Sequence, residues 1–223
     1  VHCLFSLPEG RDTVEQQSYR TVAGEGAAEF TEKRSRCIGT VCPVAEEEQA
    51  LTFLRGLTKQ SWDARHTVWA YVLSRGALCR FSDDGEPQGT AGIPVLDVLQ
   101  KEGLTDVAVV VTRYFGGILL GGGGLVRAYS HAAKIAVDAA GIVLMQPCLM
   151  CRVRSDYARY GFLPALIAEH GGTVTDTAFA DEVTLSFRLP ARSAAAFSAD
   201  LTERSAGRLT VETTGECFAP AAP

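Results

Sequence analysis

Residues 82–130 read SDDGEPQGTAGIPVLDVLQKEGLTDVAVVVTRYFGGILLGGGGLVRAYS, and this stretch decides the fold. Its glycines fall in three groups: Gly85, Gly89 and Gly92; then Gly116 and Gly117; then Gly121, Gly122, Gly123 and Gly124. Glycine suits positive φ and close approach of another group to the backbone. Between the first two groups, residues 94–100 predict a helix with Pro94 at its start and Gly103 beyond its end. Residues 106–112 are the most apolar run, and five consecutive Val/Ala positions predict a strand buried on both faces. After the last glycine, Leu125, Tyr129, Ala132, Ala136 and Ala140 recur at helical spacing, with Gly141 as the C-terminal stop.

Outward from this stretch, residues 28–33 and 36–44 predict strands. Residues 46–57 predict a helix with three glutamates in its first turn and a stripe of Ala50, Leu54 and Leu57. Residues 67–74 predict a β-branched and aromatic strand, with residues 79–81 pairing back across Arg75-Gly76. The order changes after Gly141. A strand over 143–154 leads to a helix over 156–170, kinked or restarted at Pro164. A hairpin over 173–179 and 182–189, a helix over 192–204 and a strand over 208–214 complete a β-α-β-β-α-β unit. The expected organisation is an extension over 1–26, a first domain over 27–141, a second over 142–216 and a frayed tail over 217–223.

The 223 residues are 47% apolar and 21% charged, with a net charge of −5. That is an ordinary globular balance. Neither half is basic, so neither announces itself as a broad phosphate-backbone binder. The seven cysteines are odd in number and dispersed, and the lone CxxC of Cys148 and Cys151 lacks a second ligand pair. Free thiols in a reducing, cytoplasmic compartment are expected. No apolar run reaches the roughly 20 residues of a membrane span, and no membrane partner is expected.

Several constellations could carry chemistry. Residues 121–124 open a helix, where backbone amides bind anions, and Arg127 lies in its first turn. No Lys-Ser/Thr follows, so this is not a Walker loop. Asp83, Asp84 and Glu86, with Thr90 in the same loop, suit either a cation, a basic partner or an Asx turn. Arg113 and Tyr114 end the buried strand, where ligands bind in α/β sheets. Arg113 reads as a phosphate ligand or as the partner of a first-loop carboxylate. Tyr114 or Tyr129 would supply a stacking face. No metal and no cofactor is expected.

DDGEP-GTAG-P followed by VVTRYFGGI-LG-GGLVRAYS closely resembles the pattern of the IMPACT/YigZ family. Weaker similarity runs from about Glu29 to Gly215. The resemblance implies an α+β protein of two domains, the first similar to domain 2 of ribosomal small-subunit protein five, the second ferredoxin-like. The same superfamily includes a domain of elongation factor G and a class of small-molecule kinases. The family pattern also includes a histidine followed by Ala-Tyr, matched by His66, Ala70 and Tyr71. Between them the family usually carries Asn-Cys, whereas this chain has Thr67-Val68, so a nucleophilic cysteine is missing there. Eukaryotic relatives modulate the amino-acid-starvation response. That circuit is not carried over to this chain; two small α/β domains of translation-factor type make a translation-associated regulator contacting RNA or the ribosome the leading expectation. An enzyme acting on a phosphorylated small molecule or nucleotide, and a protein-interaction scaffold, remain alternatives.

Overall fold

A computed structural model describes residues 17–221. The chain is mixed α+β and divides into two compact units, one over Tyr19–Leu144 and one whose described part is dominated by residues 145–221.

The first unit is built on a five-stranded antiparallel sheet. Its strands are β2 (Gly26–Glu32), β3 (Ser35–Pro43), β4 (His66–Leu73), β5 (Leu78–Ser82) and β6 (Val107–Tyr114), in the spatial order β2-β3-β6-β4-β5. The central strand β6 pairs with β3 on one side and β4 on the other. Its Val107, Val109 and Val111 enter the core beneath α2 (Gly92–Lys101) and α3 (Gly122–Ala140). Its Ala108 and Val110 enter a second core beneath α1 (Glu47–Gln60). Strand alternation sends neighbouring residues to opposite faces. With helices on both faces, a continuous apolar run is the sequence solution, as expected for residues 106–112.

Helix α3 shows why its inner face is rich in alanine. Leu125, Ala128, Tyr129, Ala132, Ala133, Ala136 and Val137 are all buried, a stripe at helical spacing. Small residues let the helix lie directly on the sheet. A Cβ at Gly39 of β3 would stand 2.2 Å from the Ala132 carbonyl oxygen. The Gly there is fixed by contact between two backbones.

An additional strand, β1 (Tyr19–Val22), lies within what the sequence suggested was an extension. Thr21 Oγ1 donates to the Asp106 carbonyl, and Thr105 N donates to the Arg20 carbonyl. The rest of the expected extension, residues 1–16, lies outside the described residues, as does Cys3.

The second unit contains β7 (Ile142–Ser155, which begins in the first unit), α4 (Tyr157–Tyr160), α5 (Leu163–Glu169), β8 (Thr173–Phe179), β9 (Val183–Pro190), α6 (Ala194–Arg204) and β10 (Val211–Pro220). Its strands lie in the order β10-β7-β9-β8, all antiparallel. This is the β-α-β-β-α-β arrangement. The first helix is interrupted, with Asp156 capping α4 and Pro164 opening α5. Leu163, Leu166, Ile167, Phe187, Phe197 and Leu201 form its core. Residues 217–220, expected to belong to a tail beyond the last strand, instead extend β10, where Cys217 lies opposite Cys148 and Pro220 opposite Met145 in the strand register. The paired β7 is 14 residues long, and its early residues supply the ladder that holds this end.

Candidate functional site

The glycine-rich loop after β5 is held by its own acidic residues. Asp83 Oδ1 accepts from the backbone amides of Ala91 and Gly92, and Oδ2 accepts from Gly89. Burial pushes the Asp83 carboxyl up, but these amides outweigh it and hold the group below its ordinary value. Asp84 takes φ 43°, and its Oδ2 accepts from Thr67 N at 2.6 Å. The Asp84 carbonyl meets His66 Nδ1 at 2.7 Å. Thr90 Oγ1 donates to the Pro87 carbonyl. Asp83, Asp84 and Thr90 therefore shape the loop and dock it on β4. Among the described residues no three His, Cys, Asp or Glu side chains are placed to hold a metal ion.

The loop delivers Glu86 into the interior, where its side chain is only 4% exposed. Glu86 Oε1 accepts from Arg113 Nε at 2.6 Å and from Tyr129 Oη at 2.7 Å, and Arg113 Nη2 is ion-paired with the same oxygen at 2.6 Å. Arg113 Nε also lies 3.3 Å from Tyr129 Oη. His66 Nε2 stands 3.8 Å from the same carboxylate oxygen. Three elements thus meet. The sheet supplies His66 and Arg113, which are cross-strand partners. The loop supplies Glu86, and α3 supplies Tyr129. Burial works against the charge on Arg113, but Tyr129 and Glu86 more than compensate and raise its pKa. Burial, then the hydrogen bond to Glu86, raises Tyr129, so its hydroxyl stays protonated.

His66, Glu86 and Arg113 of this network line a cavity of about 420 Å³. Arg65, His66, Gly85, Glu86, Pro87 and Arg113 line it together with Phe115, Leu119, Leu120, Gly121, Gly122 and Leu125. The Asp83–Gly92, Arg113–Gly117 and Gly121–Arg127 segments therefore each contribute to one region, though not every expected residue does.

Three placements differ from the sequence reading, those of Tyr129, Tyr114 and Arg127, while Arg113 takes the carboxylate-partner alternative. Tyr129 is fully buried and cannot stack on a ligand. Tyr114 projects to the α1 side of the sheet, its hydroxyl 3.5 Å from Asp63 Oδ1 and Arg36 over its ring. It follows Arg113 by one residue, and strand alternation forbids both from facing the cavity. Arg113 is committed to Glu86, which leaves it as a buried partner instead of a free phosphate clamp. Arg127 lines a neighbouring cavity of about 220 Å³ with Phe30, Lys33 and His131.

The glycines also divide by role. A Cβ at Gly116 would collide with the Arg34 backbone, and Gly117 and Gly121 take positive φ. Gly116 N also donates to Ser35 Oγ. Gly122 has open space around it and Gly123 meets only Arg127 Nη1 at 3.8 Å, so neither packing nor backbone conformation requires glycine at either position. In a helix each costs roughly 1 kcal/mol relative to alanine.

Phe115 and Arg65 were not singled out in the sequence. Phe115 is 44% exposed at the cavity, and Arg113 sits 5.9 Å from its ring centre. The available signal was position: Phe115 is the first aromatic residue past β6, and Arg65 precedes β4 by one residue.

Comparisons with known proteins follow the same division of the chain. The Impact N-terminal domain matches residues 33–137, and a domain of unknown function, DUF1949, matches residues 153–208. The chain is 34% identical over 196 residues to the IMPACT family member YvyE of Bacillus subtilis, covering 87% of this chain and 90% of that protein. It is 35% identical to the IMPACT family member YigZ of Escherichia coli, covering 79% and 88%. A solved crystal structure of a hypothetical protein matches with a TM-score of 0.58 at 32% identity, covering 89% and 98%. Mouse Protein IMPACT shares 34% identity over 96 residues, which is 30% of its length. With two domain matches in order and relatives alike across most of their length, the chain belongs to the IMPACT family.

Proposed function

We propose that the first domain binds single-stranded RNA and that the protein acts as a translation-associated regulator in the cytoplasm. One observation carries the binding proposal. A single cavity joins the open N-terminus of α3, the exposed Arg65 and the half-exposed ring of Phe115. A helix N-terminus carries about half a positive charge and orphan amides, and therefore suits a phosphate. Phe115 offers the stacking face that Tyr114 and Tyr129 do not. A volume of about 420 Å³ accommodates one nucleotide. Arg127 and Lys33, beyond Leu120, would meet the neighbouring phosphate.

Six cysteines, Cys37, Cys42, Cys79, Cys148, Cys151 and Cys217, are free thiols, which suits a reducing compartment. The eukaryotic relatives implied by the family resemblance support the link to translation. A second reading is favoured by the buried His66–Glu86–Arg113–Tyr129 network, since such groups beside a cavity also suit catalysis on a phosphorylated small molecule.

Fluorescence anisotropy with a labelled oligoribonucleotide tests the proposal. Affinity should fall with salt at a slope of about −0.7 per cationic contact, with two or three contacts. Arg65→Ala and Arg127→Ala should each weaken binding and lower that slope while leaving the fold intact. Turnover of a phosphorylated metabolite without RNA binding would transfer support to the second reading.

A further inference from the structure

We infer that His66 and Glu86 read a ribose hydroxyl, so that the cavity discriminates RNA from DNA. The inference rests on the RNA-binding reading and names the group of the ligand that these residues would recognise. A backbone carbonyl only accepts, so the 2.7 Å contact between the Asp84 oxygen and His66 Nδ1 requires the hydrogen on Nδ1. In the neutral imidazole this leaves a lone pair on Nε2. The ring is held firmly. Asp84 contacts it through its carbonyl and fixes the adjacent amide of Thr67 through its carboxylate.

His66 lines the cavity, and its Nε2 stands 3.8 Å from Glu86 Oε1, too far for a hydrogen bond. Glu86 completes an acceptor pair. Its Oε1 takes the donors from Arg113 and Tyr129, while Oε2 receives no hydrogen bond from a described residue. The carboxylate is 4% exposed and lines the cavity. Other groups of the lining are of the opposite kind: Gly121 and Gly122, with backbone amides at the start of α3, and Arg65, with its guanidinium, can only donate.

A ligand with an acceptor end and a hydroxyl end matches this polarity. In a nucleotide those ends are the phosphate and the ribose. Carboxylates recognise ribose hydroxyls at other dinucleotide sites, and the 2′-hydroxyl is what distinguishes RNA from DNA. Buried acceptors left without a donor penalise the deoxy ligand.

The test measures binding of a short labelled oligoadenylate and its deoxy counterpart to wild type, His66→Phe and His66→Gln, with circular dichroism confirming each fold. Wild type should prefer RNA by about tenfold, the worth of one or two hydrogen bonds. His66→Phe should bring the RNA-to-DNA preference down about fivefold, and His66→Gln, which keeps an acceptor, should retain part of it. Equal binding of RNA and DNA by wild type, or an RNA preference that both variants keep in full, overturns the inference while leaving RNA binding intact. Binding of neither ligand overturns the underlying reading instead. If His66→Phe fails to fold, the partial loss in His66→Gln decides: no loss there refutes the role.

Discussion

Replacing Glu86 by alanine is expected to destabilise the first domain by about 3–5 kcal/mol. The figure follows from what the change strands. Glu86 Oε1 receives two hydrogen bonds, from Arg113 Nε at 2.6 Å and Tyr129 Oη at 2.7 Å, and is ion-paired with Arg113 Nη2 at 2.6 Å. The Arg113 side chain is 7% exposed, and without its carboxylate it becomes an unpaired buried charge, the costly case. Tyr129→Phe removes one donor to the carboxylate and leaves the ion pair, so about 1–2 kcal/mol is expected. Replacing both partners, as Glu86→Leu with Arg113→Met, removes the stranded charge and should cost several kcal/mol less than Glu86→Ala alone, because burying an ion pair carries its own desolvation cost. Equilibrium urea denaturation followed by tryptophan fluorescence measures this. Trp62 and Trp69 are the chain's two tryptophans and both belong to the first domain, with Trp69 stacked on Tyr71. A cost below about 1 kcal/mol for Glu86→Ala, or a double variant as unstable as the single one, refutes the reasoning about an unpaired buried charge.

Three further outcomes are expected. Asp83→Asn should lose about 2 kcal/mol near neutral pH, because an amide nitrogen would face a backbone donor. The folded Asp83 carboxyl is held below its ordinary value. Its contribution is present above the unfolded value of about 4 and is lost as pH falls through the lower folded value, so the gap between variant and wild type in a pH series of urea melts should close on acidification. Gly39→Ala should cost about 3 kcal/mol in the same assay, since its Cβ would meet the Ala132 carbonyl at 2.2 Å and α3 would have to lift. Burial pushes the Cys37 thiol up to about 11; alkylation at about pH 8 followed by peptide mass spectrometry should find it unmodified in the folded protein and modified in urea.

Much of the fold was legible in residue pattern. The two-sided burial of β6 was written in VAVVV, and the second domain's element order followed from periodicity and breakers alone. The termini were less legible. Tyr19–Val22 has too few residues to show alternation, and its strand state depends on pairing with β7 and on contacts with Leu104, Thr105 and Asp106 far along the chain. The late residues of β10 carry no strong strand propensity and are ordered by pairing with β7.

The site was legible by region more than by role. The glycine tract and the acidic loop pointed to the neighbourhood of the cavity. Which of Asp83, Asp84 and Glu86 would face inward depends on the turn, and the αL conformation of Asp84 turns Glu86 into the core while Asp83 gathers three amides. Adjacent residues at the end of a strand look equivalent in sequence. The pleat gave Arg113 to the cavity face and Tyr114 to the other.

The most direct test of the central claim is the RNA affinity of Gly122→Asp. Gly122 is the first residue of α3, and no atom lies within 4 Å of the place a Cβ would take there, so the side chain fits. Replacing glycine and placing a carboxylate at a helix N-terminus should leave stability unchanged or raise it by about 1 kcal/mol. The same carboxylate occupies the place assigned to the phosphate and repels it. The account predicts a protein at least as stable as wild type that binds oligoribonucleotide at least tenfold more weakly. Wild-type affinity in a folded Gly122→Asp protein would contradict it.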